Sequence, residues 1–589
     1  MKFLGNVLAV IVGLFVFCIL GVLLMLGLVG MIASSASKDE VNVSENSVLH
    51  LDLNGRTIVE RTAEDDFDLS MFGNAFGQEM NAGLINLKKA IGEAKTNENI
   101  KGIYLNTGLI IAGQASLLEL RDALEDFKTS GKFIVAYDEA YTEGGYYIAS
   151  VADQIYLNPL GAIEFNGFAS NGIFFKGLFE KIGVKPEIFR VGEFKSAVEP
   201  FILEKNSDAA RLQTQSFLDD MNEHALQDVS ESRGISYDSL KKINNLMLVR
   251  NADDALKYGL ATELLYQDQV YSKLKEKLGL EEDNDIETVN ATDLNTTVSS
   301  KNITSKNRIA VIVAEGEIVG GSADGVISSE KFAKEIRKAR KDDNIKAIVL
   351  RVNSPGGSVV ASEVIWREMA EAKKVKPVIV SMGEVAASGG YYISAPADTI
   401  VAQPNTITGS IGIFGMMFNA QELLNEKLGI TTDVVATGEL SDFMNPTRPM
   451  TDVERSIIQN TVEDGYETFI SRVAEGRGIS PEAVKEIASG RVWTGNQAKE
   501  RGLVDVLGGL DTAIEIAAAK VGAGDDYRVV YYPTKKPWFE TIFDDLGNSV
   551  KVKILQNELG ESFQLYKQME KLKNYQGVLV RMPQDLDIK

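Results

Sequence analysis

Two similar six-residue blocks differ at the one position where a catalytic group would stand. One block starts at Glu143 and reads Glu-Gly-Gly-Tyr-Tyr-Ile, the other starts at Ser388 and reads Ser-Gly-Gly-Tyr-Tyr-Ile, and an Ala-Asp pair follows each at the same distance. A serine hydroxyl acts as a nucleophile once a base takes its proton, although serine at the start of a helix is ordinarily an N-cap. Ser388 is therefore a candidate nucleophile that requires a base and an oxyanion hole within reach.

The base is not a histidine of the same copy, because the second copy contains none. The only histidines are His50 and His224, and both lie in the first copy, at a strand position and a polar helix position typical of structural or surface residues. Lysine serves as the base in Ser-Lys variants of nucleophilic catalysis. Lys195 of the first copy has Ser441 as its counterpart, so each copy lacks what the other retains. This complementary loss favours Lys195, and a borrowed histidine is the alternative.

A glycine pair follows a strand pattern in the second copy. The apolar run at residues 347–352 leads into Asn-Ser-Pro-Gly-Gly-Ser, with the pair at Gly356 and Gly357, and a helical pattern begins near Ala361. Backbone N–H groups of glycine can approach an anion closely because no Cβ is in the way. The same sequence is also typical of an ordinary tight turn between a strand and a helix, so the glycine pair by itself does not define an anion-binding site.

The blocks belong to a longer duplication that predicts two tandem domains. Residues 45–280 and 307–525 keep matching segments at a nearly constant offset, which is too long for a solenoid repeat. Helical patterns alternate with buried-strand runs such as residues 133–137, and this alternation indicates βαβ units around a parallel sheet. The polar segment 281–306 is predicted to be a linker or insertion. Residues 526–589, which match nothing in the first copy, are predicted to be a helical tail that docks or oligomerises.

The N-terminus has the composition of a membrane segment. No charged residue occurs between Lys2 and Lys38, and residues 7–32 are rich in Leu, Val, Ile, Phe and Gly. This stretch exceeds the ~20 residues that cross a bilayer and the ~7–15 of a signal-peptide core. Residues 1–37 are therefore predicted to be a signal anchor in contact with membrane lipid, with the large domains on the outer face. Small residues at 33–36 keep a cleaved signal peptide as the alternative.

The amino-acid composition limits the classes of partner and cofactor that this chain is expected to bind. The 589 residues include 61 basic and 83 acidic ones, a net charge of −22, which argues against nucleic acid as a partner. The length and the 44% hydrophobic content suffice for more than one core. The single cysteine, Cys18, lies in the hydrophobic N-terminus. No disulfide framework, metal site or cofactor is expected.

Four motifs make the chain resemble the signal peptide peptidases of the protease IV family (peptidase family S49), in its long, duplicated type. They lie at residues 192–201, 353–358, 387–392 and 408–412. The resemblance implies an α/β fold of two tandem ClpP/crotonase-like domains, preceded by one N-terminal transmembrane helix. It also implies a serine endopeptidase that degrades cleaved signal peptides and other hydrophobic peptides, as a homotetramer facing the periplasm from the bacterial inner membrane.

The resemblance assigns the nucleophile to Ser388, the general base to Lys195 and a hydrogen bond to this lysine to Ser410. Lys195 must be neutral to accept a proton, although an unperturbed lysine titrates at about 10.4. Burial lowers the pKa of a lysine, and three apolar neighbours are expected to provide it: Phe194, Val198 and Phe201.

The tetrahedral oxyanion is expected on the backbone N–H groups of Gly389 and of Gly356 or Gly357. Two other classes of function stay open. The same fold serves CoA-ester enzymes that have such an oxyanion hole and no serine nucleophile, and a duplicated membrane protein can be an inactive scaffold. The CoA-ester class gives no reason for Ser388 and Lys195 beside an anchor, and loss of either residue would favour a scaffold.

Overall fold

The structure is a computed structural model that describes residues 13–17, 19–21, 43–62, 81–297, 304–534 and 577–582. Within these ranges no helix is both long enough and apolar enough to cross a bilayer. Most of the predicted membrane segment, residues 7–32, lies outside the described residues, so the anchor stays a prediction.

The first half of the chain is built around a parallel sheet. Its strands are β1 (Ser47–Asp52), β2 (Arg56–Val59), β3 (Asn81–Gly83), β4 (Ile100–Asn106), β5 (Ile110–Ile111), β6 (Phe133–Tyr141), β7 (Gln154–Ile163), β8 (Lys185–Val191), β9 (Glu263–Leu264) and β10 (Thr288–Asn290). Six of them form a sheet in the order β10-β1-β4-β6-β7-β9, with every pairing parallel. The strands β3-β2-β5 form a small separate sheet.

Helices alternate with these strands along the chain. They are α1 (Leu84–Thr96), α2 (Gln114–Lys128), α3 (Glu143–Ala149), α4 (Lys176–Ile182), α5 (Glu199–Ile202), α6 (Asp208–Arg233), α7 (Tyr237–Asn245), α8 (Ala252–Lys257), α9 (Gln267–Leu278) and α10 (Ala291–Thr297). Leu87, Leu124 and Ile148 from three of the helices join Leu49 and Ile103 of the sheet in one buried cluster. The first half therefore has its own core.

The second half repeats this organisation. Its strands are β11 (Arg308–Glu315), β12 (Ile318–Val319), β13 (Ile327–Ser328), β14 (Ile345–Ser354), β15 (Gly356–Ser358), β16 (Val378–Ala387), β17 (Thr399–Ala402), β18 (Ile407–Gly409), β19 (Ile413–Asn419), β20 (Val492–Thr494), β21 (Val506–Leu507), β22 (Arg528–Tyr532) and β23 (Gly577–Arg581). Its helices are α11 (Ser329–Lys341), α12 (Val359–Lys373), α13 (Gly389–Ser394), α14 (Asp452–Arg477), α15 (Pro481–Ile487), α16 (Gly495–Glu500) and α17 (Leu510–Lys520).

The main sheet of the second half has the order β20-β18-β16-β14-β11-β22, and β17 pairs with both β16 and β21. All of its pairings are parallel except that between β18 and β20. In β11 six consecutive residues are buried, as expected for a parallel strand that is covered on both faces. A second large buried cluster lies here, so the predicted α/β fold with two tandem domains is confirmed.

A third sheet combines strands from both halves. Its order is β13-β12-β15-β23-β19-β8. Strand β8 comes from the first half and pairs antiparallel with β19 of the second, in a register that places Val191 opposite Ile413. Since Lys195 follows β8 after a short turn, this pairing carries the lysine loop of the first half into the second.

Part of the segment 281–306, which is predicted to be a polar linker, belongs to the first domain. Residues 288–290 form the edge strand β10, which pairs with β1, and α10 follows it directly. Val289 is 7% exposed and Leu294 is fully buried. The prediction missed this strand because backbone hydrogen bonds at a sheet edge need only a short segment and no extended apolar period.

The segment 526–589 is not a helical tail in its described parts, residues 526–534 and 577–582. Residues 528–532 form β22 at the edge of the main sheet, beside β11. Residues 577–581 form β23, which pairs antiparallel with both β15 and β19. Each short strand is stabilised by neighbours that are distant in the sequence, which a local pattern does not reveal.

Buried charges join the two halves. Arg351 on β14 forms ion pairs with Glu60 at 2.8 Å and with Glu119 at 2.6 Å, and each of these side chains is 1% exposed. Lys88 lies 2.8 Å from Glu119. Burial by itself raises the pKa of Glu119, but Arg351 and Lys88 outweigh it and hold this pKa at about 2. The sequence analysis singles out none of these residues.

Candidate active site

Ser388 stands at a sharp turn between β16 and α13. Its backbone has φ 56° and ψ −111°, and its hydroxyl makes no capping hydrogen bond to the helix. The N–H of Ser388 donates to the carbonyl of Gly409 at 2.8 Å. A non-glycine residue in this conformation costs about 1–3 kcal/mol. The surrounding β16–β18 pairing holds the strained turn in place and leaves the hydroxyl available.

Lys195 reaches Ser388 from the other half of the same chain. Its Nζ lies 2.8 Å from Ser388 Oγ, 3.0 Å from Ser410 Oγ and 3.0 Å from the Ser410 carbonyl oxygen. The lysine precedes a 3₁₀ turn at Ser196–Val198, and Phe194 N–H donates to the Ser489 carbonyl at 2.9 Å. Ser388, which only the second copy has, is therefore in direct contact with Lys195, which only the first copy has.

The lysine side chain is completely removed from solvent. Lys195 is 0% exposed, and burial lowers the pKa of its amine well below the usual value. Val198 and Phe201 lie in an apolar cluster with Phe414, as expected from the sequence. The third expected neighbour, Phe194, has a different contact, because its ring packs against the guanidinium of Arg491. Burial thus favours the neutral amine, which is the form that accepts a proton.

Ser410 directly follows β18 and faces the lysine. It has φ 50°, and its N–H donates to the carbonyl of Arg491 at 2.7 Å. Its hydroxyl and carbonyl both contact Lys195 Nζ. With three oxygen atoms around Nζ, the position of the amine relative to Ser388 Oγ is well defined.

Gly356 and Gly389 lie close to each other, next to Ser388. Gly356 has φ +100°, and a Cβ on it would lie 2.7 Å from the Gly389 amide nitrogen. The N–H of Gly356 donates to Ser354 Oγ at 3.2 Å. The N–H of Gly356 is therefore engaged within its own turn, whereas Gly357 pairs with Val580 of β23.

A strand of the chain itself fills the space beside these glycines. Strand β23 lies between β15 and β19, and Gly357 pairs with Val580. A Cβ on Gly356 would lie 2.0 Å from the Val580 carbonyl oxygen, and one on Gly389 would lie 3.1 Å from it. Strand β23 is not among the predicted site segments, although the run Val-Leu-Val after Gly577 is a strand signal.

The equivalent position in the first half has a different environment. The Glu143 carboxylate accepts hydrogen bonds from the N–H groups of Asn166 at 3.0 Å and Gly167 at 2.8 Å, and from the Asn244 amide at 2.8 Å. Ser441, the counterpart of Lys195, is exposed in a loop. Glu143 is thus held by backbone donors in a structural role.

The two histidines make contacts of other kinds. His50 Nε2 lies 2.8 Å from Asn106 Oδ1, and its ring stacks on Tyr104. His224 lies 3.9 Å from Asp228. The Ser388 side chain contacts the lysine instead. Among the described residues, no cluster of three or more His, Cys, Asp or Glu side chains is arranged to hold a metal ion.

Two family models match the chain. The model of "Peptidase family S49" matches twice, at residues 126–281 and 370–524, one match in each half. The model of "Clp protease" matches residues 300–408, which include the Gly-Gly loop and Ser388. The second α/β domain is therefore similar to Clp protease over this region.

Two relatives match about four fifths of this chain, and a third matches less than half of it. "Protease 4" of Salmonella typhi is 39% identical over 82% of this chain and 79% of its own length. "Protease 4" of Haemophilus influenzae is 36% identical over 81% of this chain and 78% of its own length. "Putative signal peptide peptidase SppA" of Enterococcus faecium is 37% identical over 42% of this chain and 72% of its own length.

Proposed function

Since this chain belongs to peptidase family S49 and is a serine peptidase, we propose that it cleaves peptide bonds with a dyad of Ser388 as nucleophile and Lys195 as general base. The observation that carries the proposal is the 2.8 Å contact between Ser388 Oγ and the buried Lys195 Nζ. Burial lowers the pKa of Lys195, which favours a neutral amine close to the hydroxyl. The geometry and the direction of the pKa shift thus support the same role for each residue.

In the first half-reaction, Ser388 Oγ adds to the substrate carbonyl carbon while Lys195 Nζ takes the hydroxyl proton. The oxyanion that forms accepts hydrogen bonds from the N–H groups of Gly357 and Gly389. Lys195 then donates the proton to the leaving amine, and an acyl-enzyme remains on Ser388. In the second half-reaction, Lys195 takes a proton from a water molecule that adds to the ester carbonyl carbon. The bond to Ser388 Oγ then breaks as Lys195 returns the proton to this oxygen, which releases the acid and restores the dyad.

Ser410 is a positioning residue in this scheme, because it acts through the lysine. Ser410→Ala is expected to reduce kcat/KM by about tenfold, or about 1.4 kcal/mol, through kcat and with little change in KM. Steady-state kinetics on a quenched peptide measure the split between the two constants. Ser456→Ala, on the exposed face of α14, is the matched control. Wild-type kcat in Ser410→Ala would remove Ser410 from the mechanism.

We also propose a location and a substrate class. The apolar segment 7–32 supports a membrane anchor that holds the protein at the outer face of the bacterial inner membrane, in the periplasm. The relative named as a putative signal peptide peptidase and the apolar clusters beside the site support cleaved signal peptides and other hydrophobic peptides as substrates. The resemblance to the duplicated type of the family supports a homotetramer.

The pH dependence of catalysis tests the dyad. Because neutral Lys195 is the base, kcat/KM is expected to rise with pH through the lowered pKa of Lys195 and then to reach a plateau. A fluorophosphonate probe should label Ser388 with the same pH dependence, which peptide mapping can follow. His224→Ala is the control and should keep the wild-type profile. A limb near ~6.5 that persists in the residual activity of Lys195→Ala would instead indicate a histidine base.

A further inference from the structure

We propose that Gln213 is a positioning residue for the dyad, because it fixes the loop that carries Lys195 against the second half of the chain. The proposal rests on the proposed function and adds a residue that acts through the lysine without touching the substrate. Gln213 lies on α6 and is 2% exposed. It lies outside the four motifs at residues 192–201, 353–358, 387–392 and 408–412.

The side-chain amide of Gln213 makes hydrogen bonds to both halves of the chain. Its Nε2 donates to the Phe194 carbonyl at 3.1 Å and to Ser196 Oγ at 3.0 Å. Its Oε1 accepts from the Val492 N–H at 3.2 Å. Phe194 and Ser196 are the chain neighbours of Lys195, whereas Val492 begins β20 of the second half. One buried amide therefore holds the loop on both sides of the lysine and connects it to the other half.

Strand β20 connects this amide to the proposed nucleophile through backbone contacts. It pairs antiparallel with β18, with Val492 opposite Gly409. The N–H of Ser388 donates to the carbonyl of the same Gly409 at 2.8 Å, and β18 pairs with β16, the strand that ends at Ser388. The Val492 N–H that Gln213 binds is thus only one strand away from the turn that holds the serine.

The residues just before β20 lie between Ser410 and the lysine loop. The N–H of Ser410 donates to the Arg491 carbonyl at 2.7 Å. Gly490 has φ +78°, and a Cβ on it would lie 2.7 Å from the Lys195 backbone nitrogen. A single backbone segment therefore separates the loop from Ser410, so a displacement of the loop changes the distances from Lys195 Nζ to its oxygen partners.

Apolar contacts dock α6 on the second half but do not fix the lysine loop. Phe217 and Met221 of this helix are buried in one cluster with Ile407 and Val492. Hydrophobic contacts are non-directional, whereas a hydrogen bond depends on direction as well as on distance. Loss of the Gln213 amide should therefore leave α6 docked and allow the lysine loop to shift.

The position of the loop also determines how well the amine is shielded from water. Lys195 is 0% exposed, and burial lowers its pKa well below the usual value. If the loop moves, water reaches the amine and its pKa rises toward the usual value. Since the neutral amine is the base, the pH limb of kcat/KM then moves to higher pH. The loss of activity is greatest below this limb and smallest on the plateau.

Gln213→Met tests the proposal, because methionine has a similar length and makes none of the three hydrogen bonds. At pH 7, kcat/KM for a quenched peptide is expected to fall about ten- to hundredfold, through kcat and with little change in KM. The pH limb should move to higher pH, both for hydrolysis and for fluorophosphonate labelling of Ser388. Gln215→Met is the matched control, since Gln215 is exposed on the same helix, and it should keep the wild-type values.

Circular dichroism and thermal unfolding verify that Gln213→Met is folded. A folded variant with wild-type kcat would overturn the proposal. An equal loss at every pH with an unmoved limb would also overturn it, because Gln213 would then only support the fold.

Ser196→Ala provides a second test that does not depend on the folding of Gln213→Met. It removes one of the three partners of the amide and is expected to move the pH limb in the same direction by a smaller amount. Combined with Gln213→Met it should add little, since both changes act on one contact. An unmoved limb in Ser196→Ala, where Gln213→Met does not fold, would overturn the proposal.

The outcomes distinguish this proposal from the proposed function. A wild-type protein that neither hydrolyses the peptide nor is labelled at Ser388 would contradict the dyad itself. A wild-type protein that is active and labelled, with a pH limb that Gln213→Met leaves unmoved, would overturn the role of Gln213 and leave the dyad intact.

Discussion

Replacement of Ser388 by Ala or of Lys195 by Met is expected to lower kcat/KM for peptide hydrolysis by about 10³–10⁶-fold, because a nucleophile and its base act as one unit. Lys195→Met fills nearly the same buried space without a basic nitrogen. The protein should stay folded, since Lys195 is surrounded by packed residues. Steady-state kinetics measure the loss, and circular dichroism with thermal unfolding verifies the fold.

His50→Ala and His224→Ala are the controls for this prediction, since they remove the two histidines of the chain. Both variants should retain activity within a few-fold of the wild type. The dyad would be wrong if Lys195→Met kept near-full activity while either histidine variant lost it. In the double variant Ser388→Ala/Lys195→Met the losses should be far from additive.

Arg351→Met is expected to lower the free energy of unfolding by about 3–5 kcal/mol, because it removes the buried cation that two buried carboxylates share. Glu60 and Glu119 from the first half both pair with Arg351, and the three side chains are 1% exposed. The pKa of Glu119 is held at about 2 by Arg351 and Lys88 against the effect of burial. Urea denaturation at pH 7, followed by circular dichroism, measures the change.

Arg367→Met is the matched control for Arg351. Arg367 pairs with Glu371 on the surface, and its side chain is 62% exposed, so the change should cost less than about 1 kcal/mol. Arg351→Met combined with Glu60→Gln and Glu119→Gln should recover part of the loss, since the uncompensated charges are removed as well. Equal effects of Arg351→Met and Arg367→Met would show that the buried network does not hold the halves together.

Much of the fold can be predicted from sequence because its signals are local. Six consecutive apolar residues in β11 and the recurring helix and strand patterns indicate a parallel α/β fold. The duplication can be recognised because matching segments of the two copies lie at a nearly constant offset in the sequence. It also directs attention to Ser388 and Lys195, since each is retained in only one copy.

The long-range pairings are not visible in the sequence. Strand β10 lies in the segment predicted to be a linker, and β23 lies in the segment predicted to be a helical tail. Neither strand is decided by its local sequence, because a short strand is stabilised by the backbone with which it pairs. The same holds for Arg351, Glu60 and Glu119, which look like surface charges until the two halves pack together. Such contacts depend on burial, and burial is a property of the assembled chain.

Residue types and their spacing are sufficient to predict two related α/β domains, with a candidate nucleophile in one and a candidate base in the other. That these two residues meet within one chain follows from the fold, because β8 pairs with β19 and brings Lys195 Nζ to 2.8 Å from Ser388 Oγ. The fold also buries the amine completely, which lowers its pKa. Residue type is local information, whereas distance and solvation arise from packing residues that are far apart in the chain.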